Sequence, residues 1–216
     1  MRITGRLASL PAALAVAMLA LGCGDGDGRR SRRGRDRDDD GRGRARRSDD
    51  RDRRDDGGGA PGAMTLSSSS FDEGGMIPDH FAYNGRNVSP ALRWSGVPNA
   101  ARSLVLIVDD PDAMNFTHWI VYNIPPSLNG MPAGLDPGHQ VPRMPGVNQG
   151  TNDGPGNPGY FGPEPPPGET HTYRFTLHAL DTDINVGPGP DREKIDEMIR
   201  GRVIATAVLT AKYRQP

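Results

Sequence analysis

The chain has 216 residues and a net charge of −1, a near-neutral figure that averages three segments of unlike composition, of which only the last, from about residue 64, can build a core. From Thr65 to Pro216 there are 16 acidic and 11 basic residues and no clustered lysine, which argues against a nucleic-acid partner, because phosphate contact needs a localised positive surface. About 150 residues suit one compact domain and exclude two.

Arg2 and Arg6 precede an apolar stretch from Leu7 to Leu21, broken only by Ser9 and Pro11 and ending in Ala20-Leu21-Gly22-Cys23. At about 15 residues it falls short of the roughly 20 that span a bilayer as a helix, and small residues stand where a peptidase would cut. Residues 1–23 therefore read as a signal peptide. Cys23, the only cysteine, sits where bacterial lipoprotein signals place the residue that is acylated, although Ala20 stands where leucine is more usual. The expected address is the bacterial cell envelope, lipid-anchored through Cys23 and facing the periplasm or exterior. Without a second cysteine no intramolecular disulfide can form, so the domain must hold by packing.

Residues 24–63 form the next segment, and within 24–56 there are 13 Arg, 11 Asp and 6 Gly. Opposite charges are mixed and no hydrophobic face exists, so a disordered tether is expected. Asp36, Asp38, Asp40 and Gly41 mimic the first half of an EF-hand loop, but its twelfth position is Arg47, which excludes calcium there.

The domain, predicted over 64–216, is mainly β with one or two helices. Ser103 to Val108 is apolar on both faces and predicts a strand buried inside a sheet or sandwich. Thr117 to Ile124 predicts a second, with His118, Ile120, Tyr122 and Ile124 on one side. Thr172 to Leu180 alternates, placing Tyr173, Phe175, Leu177 and Ala179 on one face and Arg174, Thr176 and His178 on the other. A helix is predicted over Asp191 to Arg200, with Pro190 in its first turn and Gly201 as its stop, followed by a last strand from about Val203 to Tyr213. Nineteen prolines follow Thr65, chiefly between Pro125 and Pro167, so the middle of the domain is expected to be an ordered loop or a set of turns.

Asp109, Asp110 and Asp112 surround Pro111 where the buried strand ends, a place from which a scaffold can present polar groups to a cleft. Asp110 and Asp112 share a face if the chain stays extended; the alternative is a turn with Asx-type capping, for which Asp-Pro-Asp is suited. His118 and His171 each open a strand, with Tyr173 two residues after the second on the same face. With the aspartates they make a candidate cluster, either a metal site or an anion-binding pocket in which carboxylates orient the imidazoles. No metal-ligand spacing, Gly-x-Ser-x-Gly elbow or glycine-rich phosphate loop is present, so no metal, cofactor or catalytic nucleophile is assigned.

Ser89-Pro90-Ala91-Leu92-Arg93-Trp94, Asp109-Asp110-Pro111-Asp112-Ala113, His118-Trp119, Gly159-Tyr160-Phe161-Gly162-Pro163 with Pro165-Pro166, and His171-Thr172-Tyr173-Arg174-Phe175 occur in one order. In this combination the domain resembles the phosphatidylethanolamine-binding protein family, in its bacterial Raf-kinase-inhibitor-like branch of YbhB/YbcL type. The resemblance implies a large antiparallel sheet packed on a smaller one, a C-terminal helix and a small anion pocket. It places the pocket on Asp110, Asp112, His118, His171 and Tyr173, with Pro165 and Pro166 at the rim and Tyr160 nearby. Met114 stands where the family often has proline. The expected function is non-enzymatic: a tethered protein holding a phosphate, carboxylate or phospholipid head group, with an unidentified protein as a further partner. The alternatives are a protease or kinase inhibitor acting by surface contacts, and a hydrolase or lyase using His118, His171 and Asp110 as acid and base.

Overall fold

A computed structural model describes residues 63–155 and 158–216; the signal peptide, Cys23 and nearly all of the tether lie outside the described residues. In chain order the strands are β1 (Thr65–Ser68), β2 (Leu92–Ser95), β3 (Ser103–Asp110), β4 (Phe116–Ile124), β5 (Gly130–Met131), β6 (Asn148–Gln149), β7 (Thr170–Leu180) and β8 (Val203–Arg214), with helix α1 (Arg192–Ile199) before the last. They form a three-stranded sheet in the order β1-β2-β5 and a five-stranded sheet in the order β6-β4-β3-β7-β8, with every pairing antiparallel. The expected mainly β architecture of a large sheet on a smaller one is observed.

The apolar run of β3 takes the middle of the large sheet and is buried at all eight positions, as a strand covered on both faces must be. Its two faces feed two cores. Leu104, Leu106 and Val108 join Leu66, Leu92, Trp94 and Met131 of the small sheet between the layers. Val105 and Ile107 join Ile195 and Ile199 of α1 on the other side. In β7, Tyr173, Phe175, Leu177 and Ala179 all enter the inter-sheet core, the face predicted by alternation.

Helix α1 starts one residue later than predicted. Asp191, in extended geometry, caps it by accepting from the Lys194 amide at 2.9 Å, so Pro190 precedes the cap instead of occupying the first turn. Gly201 ends the turn at a φ of 71°, a left-handed conformation that favours glycine. The proline-rich middle forms turns and the two-residue strands β5 and β6.

β4 departs from the predicted alternation. Val108 pairs with Trp119 and Asp109 with Thr117, so one residue, His118, is left over between them. This is a bulge, which re-aims a side chain. It turns His118 to the inter-sheet face, where its ring meets Tyr173 edge-on at 5.1 Å, while Ile120 and Tyr122 stay under α1. A second irregularity, with Asn123 at a φ of 56°, puts Ile124 in the inter-sheet core as well. The predicted common face of His118, Ile120, Tyr122 and Ile124 is therefore corrected at both ends.

Candidate functional site

The two aspartates that end β3 divide by strand alternation. Asp109 turns to the helix side, where it accepts a two-pronged bond from Arg174 at 2.9 and 2.8 Å and a third from Arg192 at 3.1 Å. Asp110 points the other way. Pro111–Ala113 is one turn of 3-10 helix, so the chain does not stay extended; Asp110 caps that turn through Oδ1, which accepts from the amides of Asp112 at 2.9 Å and Ala113 at 3.1 Å. Its Oδ2 accepts from His171 Nδ1 at 2.7 Å. One carboxylate thus serves both as turn cap and as imidazole partner. Asp112 accepts from the Thr172 amide at 2.7 Å, tying the turn to the start of β7. Met114 and Asn115 follow in left-handed conformation, Met114 with 96% of its surface exposed.

Beside this turn lies a cavity of about 430 Å³. Its lining includes Asp110, Asp112, His118, His171, Pro165 and Pro166, six of the predicted residues brought together from four segments. Phe116, Phe161, Glu164 and Glu169 line it as well, and sequence reasoning had not assigned them to the site. One of these carried a signal: Phe116 stands two before His118 in β4, the spacing that keeps strand residues on one face.

His118 is 4% exposed, and its Nδ1 donates to the Phe161 carbonyl at 2.8 Å; a carbonyl only accepts, so the proton is on Nδ1 and Nε2 is left for a ligand. The Phe161 ring stacks on it at 5.7 Å. The Phe161 segment is itself fixed, since the Gly162 amide donates to Asn87 Oδ1 at 2.8 Å and a Cβ on Gly162 would lie 2.6 Å from the Tyr83 nitrogen. Only glycine lets that backbone pass.

The histidines differ in acidity. Burial pushes His118 below its ordinary value of 6.5, with the Phe161 hydrogen bond and the Asp110 charge opposing. Burial pulls the same way on His171, but the hydrogen bond and charge of Asp110, with help from Glu169 and Asp112, outweigh it and raise the value. His171 Nε2 lies 3.5 Å from Glu169 Oε2. Tyr173, 1% exposed, sits against His118 with its hydroxyl buried and lacking a hydrogen bond of standard geometry among the described residues. Burial and then the Asp110 charge push that hydroxyl far up, so it stays a neutral donor.

Tyr160, predicted near the pocket, is used elsewhere. Its hydroxyl donates to the Phe81 carbonyl at 3.0 Å, its ring meets Trp119 edge-on at 5.4 Å, and it lines a separate cleft with Tyr83 and Pro137. Packing against Trp119 holds it behind the Phe161 segment. A larger cleft of about 630 Å³ around Tyr122 and His139 contains none of the predicted residues. Among the described residues no group of three His, Cys, Asp or Glu side chains is arranged to hold a metal, and no helix is long and apolar enough to cross a membrane.

Comparisons with known proteins agree on one family. A family model described as "Phosphatidylethanolamine-binding protein" matches residues 67–214. The UPF0098 protein of Methanothermobacter thermautotrophicus is 42% identical over 154 residues, covering 70% of this chain and 99% of that protein. A Mycobacterium tuberculosis protein described as "Putative lipoprotein LppC" is 44% identical over 137 residues, covering 60% of this chain and 63% of its own. The crystal structure of E. coli YbcL, described as a member of the mammalian PEBP family, matches with a TM-score of 0.65 at 30% identity, over 72% of this chain and all of that one.

Proposed function

Because the chain belongs to the phosphatidylethanolamine-binding protein family, we propose that it is an exported, membrane-tethered binding protein that holds a small anionic group, a phosphate, a carboxylate or a phospholipid head group, between His118 and His171. The observation that carries this reading is the pair of histidines lining one cavity, each with Nδ1 already committed to an acceptor. That leaves His118 Nε2 open to a ligand, while His171 Nε2 has only the exposed Glu169 carboxylate, at 3.5 Å, to give up for one. A bound anion would meet charge-assisted donors when the rings are protonated. No nucleophile is assigned to the site, so the reading is one of binding without turnover.

The lining also holds Asp110, Asp112, Glu164 and Glu169, more negative charge than two imidazoles offset. A bare anion is therefore admitted only as the histidines protonate, and an ammonium group on the same ligand finds carboxylates at hand. The sign follows from His118, whose lowered value keeps it neutral near pH 7 and charges it only below 6.5. Calorimetric titration with phosphate, acetate and phosphoethanolamine should show saturable binding that tightens as pH falls below that value. The His118→Ala/His171→Ala variant should weaken binding by at least about tenfold. Absence of saturable binding at any pH, or equal binding by the variant, would sink the reading.

The tether rests on the lipobox-like Cys23 and on the similarity to LppC. Cys23→Ser should move the protein from the detergent-extracted membrane fraction to the soluble fraction of an expressing cell. Retention in the membrane fraction would argue against the anchor.

A further inference from the structure

The cleft of about 630 Å³ lies on the helix-covered side of the large sheet, near the end of β4 away from His118. Its size is ordinary for a small-molecule site. Its walls are pinned to β4 and β6. The Gln149 amide donates to the His139 carbonyl at 2.7 Å and Gln149 Nε2 to the Gly138 carbonyl at 2.9 Å. Asn123 exchanges two bonds of 2.8 Å with the backbone of Ile184, and Thr151 bonds the carbonyls of Gly189 at 3.0 Å and Pro190 at 2.9 Å. The cleft is therefore formed before any ligand arrives, which lowers the cost of binding.

Its chemistry is unlike that of the His/Asp cavity. The lining carries no Asp, Glu, Lys or Arg. Tyr122 is 4% exposed with its ring in the core under α1, and its hydroxyl bonds no described residue. The side chains of His139, Gln140 and Asn185 likewise bond no other described residue, and Asn148 spends only Nδ2, on the Gly146 carbonyl. Ile184, Val186 and Pro188 add an apolar strip.

We propose that this cleft is a second binding site, for a neutral polyhydroxylated ligand of the saccharide class. An anion would find no cationic side chain and a cation no carboxylate, so neither would recover its desolvation. A wholly apolar ligand would strand five polar side chains. Sugar hydroxyls, each both donor and acceptor, match the amides, the imidazole and the phenol, and the C–H face of a pyranose matches the apolar strip.

The test is titration of the full chain with N,N′-diacetylchitobiose, cellobiose and sucrose, followed by amide chemical shifts and saturation transfer to the sugar. Saturable shifts at Tyr122, His139 and Asn185 are expected with at least one sugar. Tyr122→Phe, which removes only the hydroxyl, and Asn185→Ala, at an exposed position, should each weaken binding by about fivefold without moving the unfolding midpoint appreciably. The proposal is overturned if no sugar gives saturable shifts, if binding survives both variants unchanged, or if the shifts fall on His118 and His171 instead. These readouts do not depend on whether the His/Asp cavity binds an anion.

Discussion

Trp119→Ala is expected to lower the stability of the domain by about 3–5 kcal/mol, measured by urea denaturation. The side chain is 0% exposed in the inter-sheet core, so truncation opens a cavity that the two sheets cannot close. It is also a post for the proline-rich segment. Its Nε1 donates to Gln149 Oε1 at 2.8 Å, and Gln149 Nε2 in turn holds the carbonyls of Asp136 at 2.8 Å and Gly138 at 2.9 Å. Trp119→Phe keeps most of the buried area but leaves Gln149 Oε1 without its donor, at a cost of about 1–3 kcal/mol. Equal losses in the two variants would show that the hydrogen bond, not the packing, carries the effect.

Asp109→Ala should cost about 2–3 kcal/mol, or roughly 4–12 °C in Tm for a domain of this size. Its carboxylate is 3% exposed and answers two arginines, Arg174 and Arg192, which are 39% and 30% exposed. Because those guanidinium groups reach water, the loss falls below that of a fully buried pair. Asp183→Ala is the control: its partner Arg102 lies at 3.3 Å, with both side chains more than half exposed, and stability should be unchanged within error. The variants also test the two neighbours for separate roles: on the proposed function, Asp109→Ala should leave anion binding intact in the titration while Asp110→Ala, which removes the partner of His171 Nδ1, should weaken it. A stability loss no greater than that of Asp183→Ala would refute the assignment of Asp109 as a structural anchor.

That division of labour was half legible in the sequence. The placement of His171 and Tyr173 on one face followed from the alternation of β7, and β7 is regular over the residues that matter. His118 lines the cavity, but the alternation gives it the wrong face, because the bulge that turns it inward adds one residue to β4 and leaves no mark in the hydrophobic pattern. Asp109, Asp110 and Asp112 formed one cluster in the sequence. What marks Asp109 as the anchor is its pairing with Arg174 and Arg192, 65 and 83 residues away. The choice between an Asx-type turn and a pocket carboxylate was no true choice, since the two oxygens of Asp110 do both. β5 and β6, two residues each, are too short for any periodicity, and Tyr160 lay in a family-like string that does not tell a packing phenol from a ligand contact.

The central strand of the large sheet also governs how the domain must fold. β3 pairs with β7 from Ser103–Leu180 to Asp109–Arg174, so the middle of the sheet is completed only when a long stretch of chain has been looped back. Non-local pairing of this kind places folding in the slow, millisecond-to-second regime of β-rich domains. Twelve of the nineteen prolines after Thr65 lie between Pro125 and Pro167, inside that stretch. Each proline fixes one backbone angle before folding begins, so the unfolded loop has fewer conformations to surrender on closure. The least regular part of the sequence thus lowers the entropic barrier to assembling the most regular part of the fold, in a domain with no disulfide to do so.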